Sequence, residues 1–189
     1  MPRIASWPVL VALVSFSVPA AAAVSSCPPE PLRVAKSVGG FVEYHGAVPG
    51  LPDLCREVRD GRAALFYYGV WRSDWPGAGD AYPAMHAVLN GAPGTRAEFV
   101  TRSVPGMQWN DSFVNEGVVS MEVAGRSHQA LKFAHERVGI EGNTYHSVIT
   151  LWRDVETGAI LRVDERQIAG QSYGPDTTWV ATGVASLKE

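Results

Sequence analysis

The sequence lacks the short motifs that mark many catalytic and cofactor sites. It contains no HExxH zinc motif, no phosphate-binding Walker loop and no CxxC pair. Its two cysteines, Cys27 and Cys55, do not have the spacing of a metal-binding pair. The sequence therefore predicts no cofactor and no metal site.

Clusters of basic residues are also missing. The chain has 19 acidic residues against 16 lysines and arginines, which gives a formal net charge of −3. Nucleic-acid binding requires a basic stripe as its electrostatic footprint, and the sequence has none. The same lack disfavours a role on an anionic lipid surface. We therefore expect no nucleic acid among the partners of this chain.

Only one long apolar run is present, and it lies at the N-terminus. Arg3 gives a basic start, residues 4–18 are almost entirely apolar, and residues 21–23 are the small alanines that a signal peptidase recognises. The run is too short to span a bilayer. Residues 1–23 are therefore predicted to be a signal peptide of a periplasmic or secreted protein. No transmembrane span is expected in the rest of the chain.

The two cysteines support two different interpretations. An even count in an exported chain favours a disulfide between Cys27 and Cys55, to which the chain-entropy model assigns about 3–4 kcal/mol. The alternative is a lipobox, because Val24-Ser25-Ser26-Cys27 resembles the bacterial lipoprotein signal. Lipid attached to Cys27 would make the protein a membrane-anchored lipoprotein and leave Cys55 as an odd thiol. The even count favours the disulfide, and the lipid anchor stays open.

After residue 39 the chain alternates between strand-like segments and turn residues. The segments are rich in β-branched and aromatic residues and are evenly spaced, which is typical of an antiparallel meander. We predict a mainly β fold, either an incomplete barrel or a strongly curved sheet, as a single domain over residues 40–189. An extended linker is predicted over residues 24–39. The predicted strands are residues 40–45, 63–71, 97–104, 113–123, 130–138, 145–152, 159–168 and 178–187.

Two short helices are predicted to interrupt the strands. Residues 52–59 have a proline at their start, and Gly61 follows their end. Residues 80–90 begin at Asp80, a good N-cap residue, and are followed by Gly91.

Some predicted strands are apolar on both faces and must be covered on both. The second cover is either another layer or a concave apolar surface that holds a ligand. The candidate ligand-binding residues are Tyr67, Tyr68, Trp71, Trp75, Trp109 and Trp152. Packing in an ordinary sheet core is the alternative for these aromatic residues. The polar residues 110–112 beside Trp109 suit a ligand loop, but a turn before a strand is the favoured interpretation.

No catalytic residue is assigned, and two pairs remain as alternatives. Glu43 and His45 share one strand face, whereas His135 and His146 fall on neighbouring strands of one hairpin. Either pair could begin an acid–base site, but neither has the third group that a catalytic or zinc site requires.

One hairpin carries a family resemblance. Trp152, Asp154, Thr157-Gly158 and Arg162 resemble the Trp-x-Asp-x-x-Thr-Gly-x-x-x-Arg hairpin of LolA-like periplasmic proteins, which include lipoprotein carriers and lipid-binding lipoproteins. The resemblance covers about 25 residues of the C-terminal half. It implies an incomplete antiparallel barrel, closed by helices, with an apolar cavity.

These features favour a non-enzymatic envelope protein. Its expected partner is an apolar small molecule or lipid, or another envelope protein. A small secreted hydrolase that uses a His/Glu pair is the first alternative. The second is an interaction module whose contact is Trp75 in the glycine-rich loop 74–80.

Overall fold

The computed structural model describes residues 26–104, 107–170 and 178–188, and the predicted signal peptide lies outside the described residues. Antiparallel strands make up most of the fold, with a single α-helix among the described residues. The strands are β1 (Leu32–Lys36), β2 (Phe41–Val48), β3 (Leu51–Arg59), β4 (Arg62–Tyr67), β5 (Trp71–Arg72), β6 (Arg96–Val104), β7 (Met107–Val123), β8 (Arg126–Ile140), β9 (His146–Asp154), β10 (Ile160–Ala169) and β11 (Trp179–Ser186). The helix is α1 (Ala78–Leu89).

The two halves of the chain meet at the centre of one sheet. Strands β1 to β5 lie side by side in chain order, and β6 to β11 do the same. β1 joins the halves by pairing with β11, from Leu32 opposite Ser186 to Lys36 opposite Ala181. The edges of the sheet are consequently β5 and β6, which α1 connects.

The sheet curves until its two edges face each other. The ring of Trp71 on β5 packs against Phe99 on β6, with 5.6 Å between centroids, and against Phe113 on β7 at 6.3 Å. Helix α1 contacts β5, β6 and β7 and covers this gap. No hydrogen-bonded ladder joins β5 to β6 within the described ranges. The prediction of a mainly β, strongly curved sheet is therefore confirmed.

Helix α1 is amphipathic, and its apolar side packs under the sheet edges. Its deeply buried residues recur at intervals of three and four, as helical periodicity requires: Ala81, Ala84, Met85, Val88 and Leu89. Gly77 precedes the helix at φ 76°, and a Cβ there would lie 2.9 Å from Thr101 Cγ2. The predicted helix at residues 80–90 is thus confirmed, and it begins two residues earlier.

The second predicted helix, residues 52–59, is wrong. These residues belong to β3, which pairs with both β2 and β4. Asp60 and Gly61 both have positive φ, 49° and 82°, which is the conformation of a two-residue hairpin turn. The Asp-Gly pair therefore marks a hairpin and not the end of a helix.

The predicted strand over residues 63–71 is broken by a tight turn. Tyr68 and Gly69 have φ values of 54° and 72°, and Val70 N donates to Tyr67 O at 2.9 Å. The buried Arg153 donates from Nε to Tyr68 O at 3.1 Å. This bond helps to hold a tyrosine in a conformation that usually favours glycine or asparagine, and the chain reverses into β5.

Part of the segment predicted as a linker belongs to the sheet. Within residues 24–39, β1 pairs with β2 on one side and with β11 on the other. Val34 is fully buried on this strand. The N-terminal segment is therefore an integral strand of the fold.

Cys27 and Cys55 form a disulfide, with 5.4 Å between their Cα atoms. Cys55 lies on β3, so the bridge attaches the N-terminal end of the described chain to the sheet. Arg153 adds a second attachment, because its Nη2 donates to Ser26 O. A cysteine sulfur that forms a disulfide cannot also carry a thioether-linked lipid. The two interpretations of Cys27 therefore exclude each other.

We predict that replacing both cysteines by alanine lowers the free energy of unfolding by about 3–4 kcal/mol, because the unfolded chain regains loop entropy. Urea denaturation of oxidised wild type and of the double variant measures the difference. Wild type under reducing conditions is the control and should approach the variant. An intact mass of the mature protein with a diacylglyceryl group on Cys27 would contradict this prediction, whereas the loss of two hydrogens supports it.

Candidate functional site

The concave side of the sheet encloses a cavity of about 440 Å³. Its walls come from both halves of the sheet and from the turn between β4 and β5. Most of the lining is apolar: Val42, Val70, Trp71, Ile149, Leu151, Ile160, Val163 and Trp179. A cavity of this size, with an apolar lining and a few polar groups, has the character of a small-molecule site.

The mouth of the cavity lies at the end of the sheet that carries the β1–β2 and β3–β4 turns. Val38 of the first turn and Asp60 of the second both line the cavity. Val38 is 67% exposed, and Trp75, on the loop before α1, is 50% exposed. Two large apolar residues therefore stand in solvent at the rim.

Each of the three cations that line the cavity has an acidic partner. Lys36 Nζ lies 2.7 Å from Asp60 Oδ2, and Arg59 Nη2 lies 2.8 Å from Glu57 Oε2. The third, Arg137, donates from Nε to Asp111 Oδ1 at 2.7 Å. The lining is therefore close to neutral.

A buried hydrogen-bond network stands behind one wall of the cavity. Asp111 on β7 is fully buried and accepts hydrogen bonds from Thr101 Oγ1, from His135 Nε2 at 2.7 Å and from Arg137 Nε. The guanidinium of Arg137 lies over the rings of Trp71 and Trp109, at 5.3 and 5.1 Å from their centroids. Of these residues, His135, Arg137 and Trp71 line the cavity.

The network sets the ionisation of its members. Burial by itself would raise the pKa of Asp111, but the hydrogen bond from His135 and the charge of Arg137 outweigh it and lower that pKa. Burial lowers the pKa of His135, and the bond to Asp111 opposes this effect only in part. At neutral pH Asp111 is therefore a carboxylate and His135 a neutral imidazole.

A second group of buried polar residues lies beside the cavity. Tyr44 lines it, and its hydroxyl accepts a hydrogen bond from Ile160 N at 3.0 Å. Burial raises the pKa of the nearby Glu57 despite the opposing charge of Arg59. Burial also lowers the pKa of Arg153 to about 10. These groups stabilise the junction of β2, β3 and β9 and do not line the cavity, apart from Tyr44 and Arg59.

The structure brings only two of the predicted ligand-binding aromatics into the cavity wall, Trp71 and Trp75. Tyr67 packs on Tyr82 of α1, with 4.9 Å between ring centroids. The hydroxyl of Tyr68 bonds His86 Nδ1 at 2.5 Å.

The two remaining tryptophans lie outside the cavity lining. Trp109 stacks behind the wall with Arg137. Trp152 follows the cavity-lining Leu151 and faces the convex side, near Lys132 and Arg162. The interpretation of residues 109–112 as a turn is wrong, because they lie within β7.

The catalytic alternatives do not assemble into a site. His45 Nε2 lies 3.5 Å from Glu43 Oε2 on the convex face, since Tyr44 between them faces the cavity. His135 faces the cavity, whereas His146 bonds Glu136 Oε1 at 3.0 Å on the other face. The two histidines therefore lie on opposite faces of the sheet.

Sequence reasoning missed three of the residues that shape this wall. Trp179 lines the cavity from β11, Arg137 lies two residues beyond His135 on β8, and Asp111 holds both polar side chains. The sequence feature that could have revealed this wall is Asp111, an acidic residue at an inward-facing strand position between Trp109 and Phe113. Such a residue is buried only when it has partners.

Three other features of the chain bear on function. Among the described residues no group of three or more histidine, cysteine and acidic side chains could hold a metal. No described helix has the length and apolarity needed to cross a bilayer. Residues 170–174 have the spelling GxSxG of a nucleophile elbow. Residues 171–174 lie outside the described residues.

No family model matches the sequence, and no curated protein matches it. Among solved structures the chain is similar to the crystal structure of the hypothetical lipoprotein YmcC from Escherichia coli (K12). The sequences are 14% identical, the match covers 84% of this chain and 83% of that one, and the TM-score is 0.46. This similarity assigns neither a family nor a function, and the LolA-like resemblance stays a prediction.

We predict that Asp111→Asn lowers the free energy of unfolding by about 3–5 kcal/mol, because it leaves Arg137 in the wall without its buried counter-charge. Urea denaturation at pH 7 measures the change. Glu122→Gln is the matched control, since Glu122 is an exposed carboxylate on the same strand, and it should change stability by less than about 0.5 kcal/mol. Equal effects of the two substitutions would contradict the role of the network.

We also predict that acidification from pH 7 to pH 5 destabilises the protein through His135. Its folded pKa lies below the ordinary value of 6.5, so the unfolded chain binds a proton that the folded chain resists. The free energy of unfolding therefore decreases as the pH is lowered below 6.5, by up to about 1.4 kcal/mol per pH unit. The lowered pKa of Asp111 has the same sign but acts only below 3.8.

Urea midpoints at both pH values test this dependence. In His135→Gln the His135 contribution should disappear. An identical pH dependence in His135→Gln and wild type would contradict the assignment.

Proposed function

We propose that this chain is an exported, non-enzymatic protein that binds an apolar ligand in the cavity of its curved sheet. One observation carries the proposal: strands from both halves of the chain line one concave space with apolar side chains. Apolar surface of this extent is costly to expose to water, and an apolar ligand bound in the cavity would be stabilised by burial.

The arrangement of polar groups supports binding rather than catalysis. The buried Asp111 neutralises Arg137 and orients His135, and the predicted acid–base pairs lie apart or on the convex face. The few polar groups at the wall suit the orientation of a ligand within the cavity.

Export is supported by two features of the chain. Residues 1–23 have the pattern of a signal peptide. The Cys27–Cys55 disulfide is of the kind that persists in oxidising compartments such as the periplasm.

Filling the cavity tests the proposal. We expect the protein to bind the uncharged fluorophore N-phenyl-1-naphthylamine, and Ile149→Trp to weaken this binding at least about tenfold, because the indole occupies the ligand space. Val148→Trp is the matched control, since its side chain alternates to the convex face, and should bind as wild type does. Fluorescence titration measures the affinities, and circular dichroism verifies that both variants fold. Failure of wild type to bind, or equal binding by both variants, would contradict the proposal.

The half-exposed Trp75 supports a second candidate function, in which the cavity rim contacts an envelope protein. Exposed tryptophans are frequent anchors of protein interfaces. Co-purification from envelope extract should then yield a partner that Trp75→Ala loses and that Val118→Ala, at another exposed apolar position, retains.

A further inference from the structure

The charges around the cavity disfavour an anionic ligand. Lys36, Arg59 and Arg137 each have a carboxylate partner at 2.7–2.8 Å. Glu165 on β10 adds a further acidic group whose charge acts on His135. A fatty-acid carboxylate entering this space would lose its hydration and would compete with carboxylates already in place.

The hydrogen-bond network fixes which nitrogen of His135 carries the proton. Asp111 is a carboxylate and can only accept hydrogen bonds, so the 2.7 Å contact with His135 requires a proton on Nε2. Because the imidazole is neutral, its Nδ1 carries a lone pair and is an acceptor. No described residue donates to this Nδ1.

The position of His135 is rigidly defined. Its ring centroid lies 4.9 Å from that of Phe113 and 5.4 Å from that of Trp71, and Ile149 lies opposite it on β9. The network on Nε2 prevents rotation of the ring. An acceptor is thus held in an otherwise apolar part of the wall, where a ligand without a donor would leave it unpaired.

A donor stands on the same face of the same strand. Arg137 lies two residues from His135, and its Nε and Nη2 point to Asp111, at 2.7 and 3.4 Å. Its third nitrogen, Nη1, has no partner among the described residues. The wall therefore presents an acceptor on His135 and a donor on Arg137, two residues apart on one strand face and with no uncompensated charge, which is the complement of a hydroxyl group. The buried Nε1 of Trp71, which has no described partner, is a further donor in this wall.

We propose that the ligand is an uncharged amphiphile, such as a long-chain alcohol or monoacylglycerol, whose hydroxyl donates to His135 Nδ1 while its chain fills the apolar cavity. Arg137 is the donor to the hydroxyl oxygen. The inference rests on the proposed function, and it names the chemical class that the same cavity selects.

The test compares three probes with the same chain: 1-dodecanol, dodecanoate and dodecyl methyl ether. At pH 7.5 we expect dodecanol to bind about tenfold tighter than the ether, which cannot donate, and about tenfold or more tighter than dodecanoate. Displacement of N-phenyl-1-naphthylamine from the full-length mature protein measures the three affinities.

One variant and its control test whether His135 causes the preference for the alcohol over the ether. His135→Phe keeps a ring but removes the acceptor, while Thr101 and Arg137 remain as donors to Asp111, so the preference for dodecanol over the ether should fall to about twofold or less. His146→Phe, on the convex face of the adjacent strand, should retain the preference of wild type.

A measurement on wild type decides the outcome if His135→Phe does not fold. The ¹⁵N resonance of His135 Nδ1 should shift on addition of dodecanol and stay in place on addition of the ether. Probe binding without a preference for the alcohol, or tighter binding of dodecanoate, overturns the inference and leaves the proposed function standing. Displacement by none of the three probes overturns the inference alone, whereas failure of N-phenyl-1-naphthylamine itself to bind overturns both.

Discussion

Pairing between β1 and β11 is the interaction on which the rest of the architecture depends. It joins two meanders that would otherwise be separate sheets, and it places β5 and β6 at opposite edges. Because α1 must connect those edges within a short span, the sheet has to curve, and Trp71 packs across the gap. The concave space follows directly from this geometry.

The polar wall of the cavity shows how a buried charge can be made tolerable in an apolar interior. Burial of the negative charge of Asp111 is unfavourable, and three hydrogen-bond donors on β6 and β8 offset this unfavourable free energy. The aromatic rings of Trp71 and Trp109 flank Arg137 and restrict the movement of its guanidinium. Rigid polar groups on regular strands are better suited to discriminate between ligands than groups on loops.

Periodicity and turn residues were enough to predict β2, β6 to β11 and the helix α1, because β-branched segments and capping residues act locally. The helix over residues 52–59 was mispredicted because Pro52 and Gly61 carry the same local signal in a helix as in a hairpin. The break at Tyr68 could not be predicted, since a bond from Arg153, distant in sequence, supports the positive φ. The cavity was predicted only as a concave apolar surface. Its polar wall depends on strand registers, which place Asp111 opposite Arg137 and are not readable from single segments.

The central position of β1 has a consequence for the order of assembly. The middle of the sheet forms only when Leu32 pairs with Ser186, near the far end of the described chain. Pairings of such high contact order form slowly. The Cys27–Cys55 loop, by contrast, closes over a separation of only 28 residues. Oxidation can therefore fix the N-terminal end of the described chain to β3 before the middle of the sheet forms.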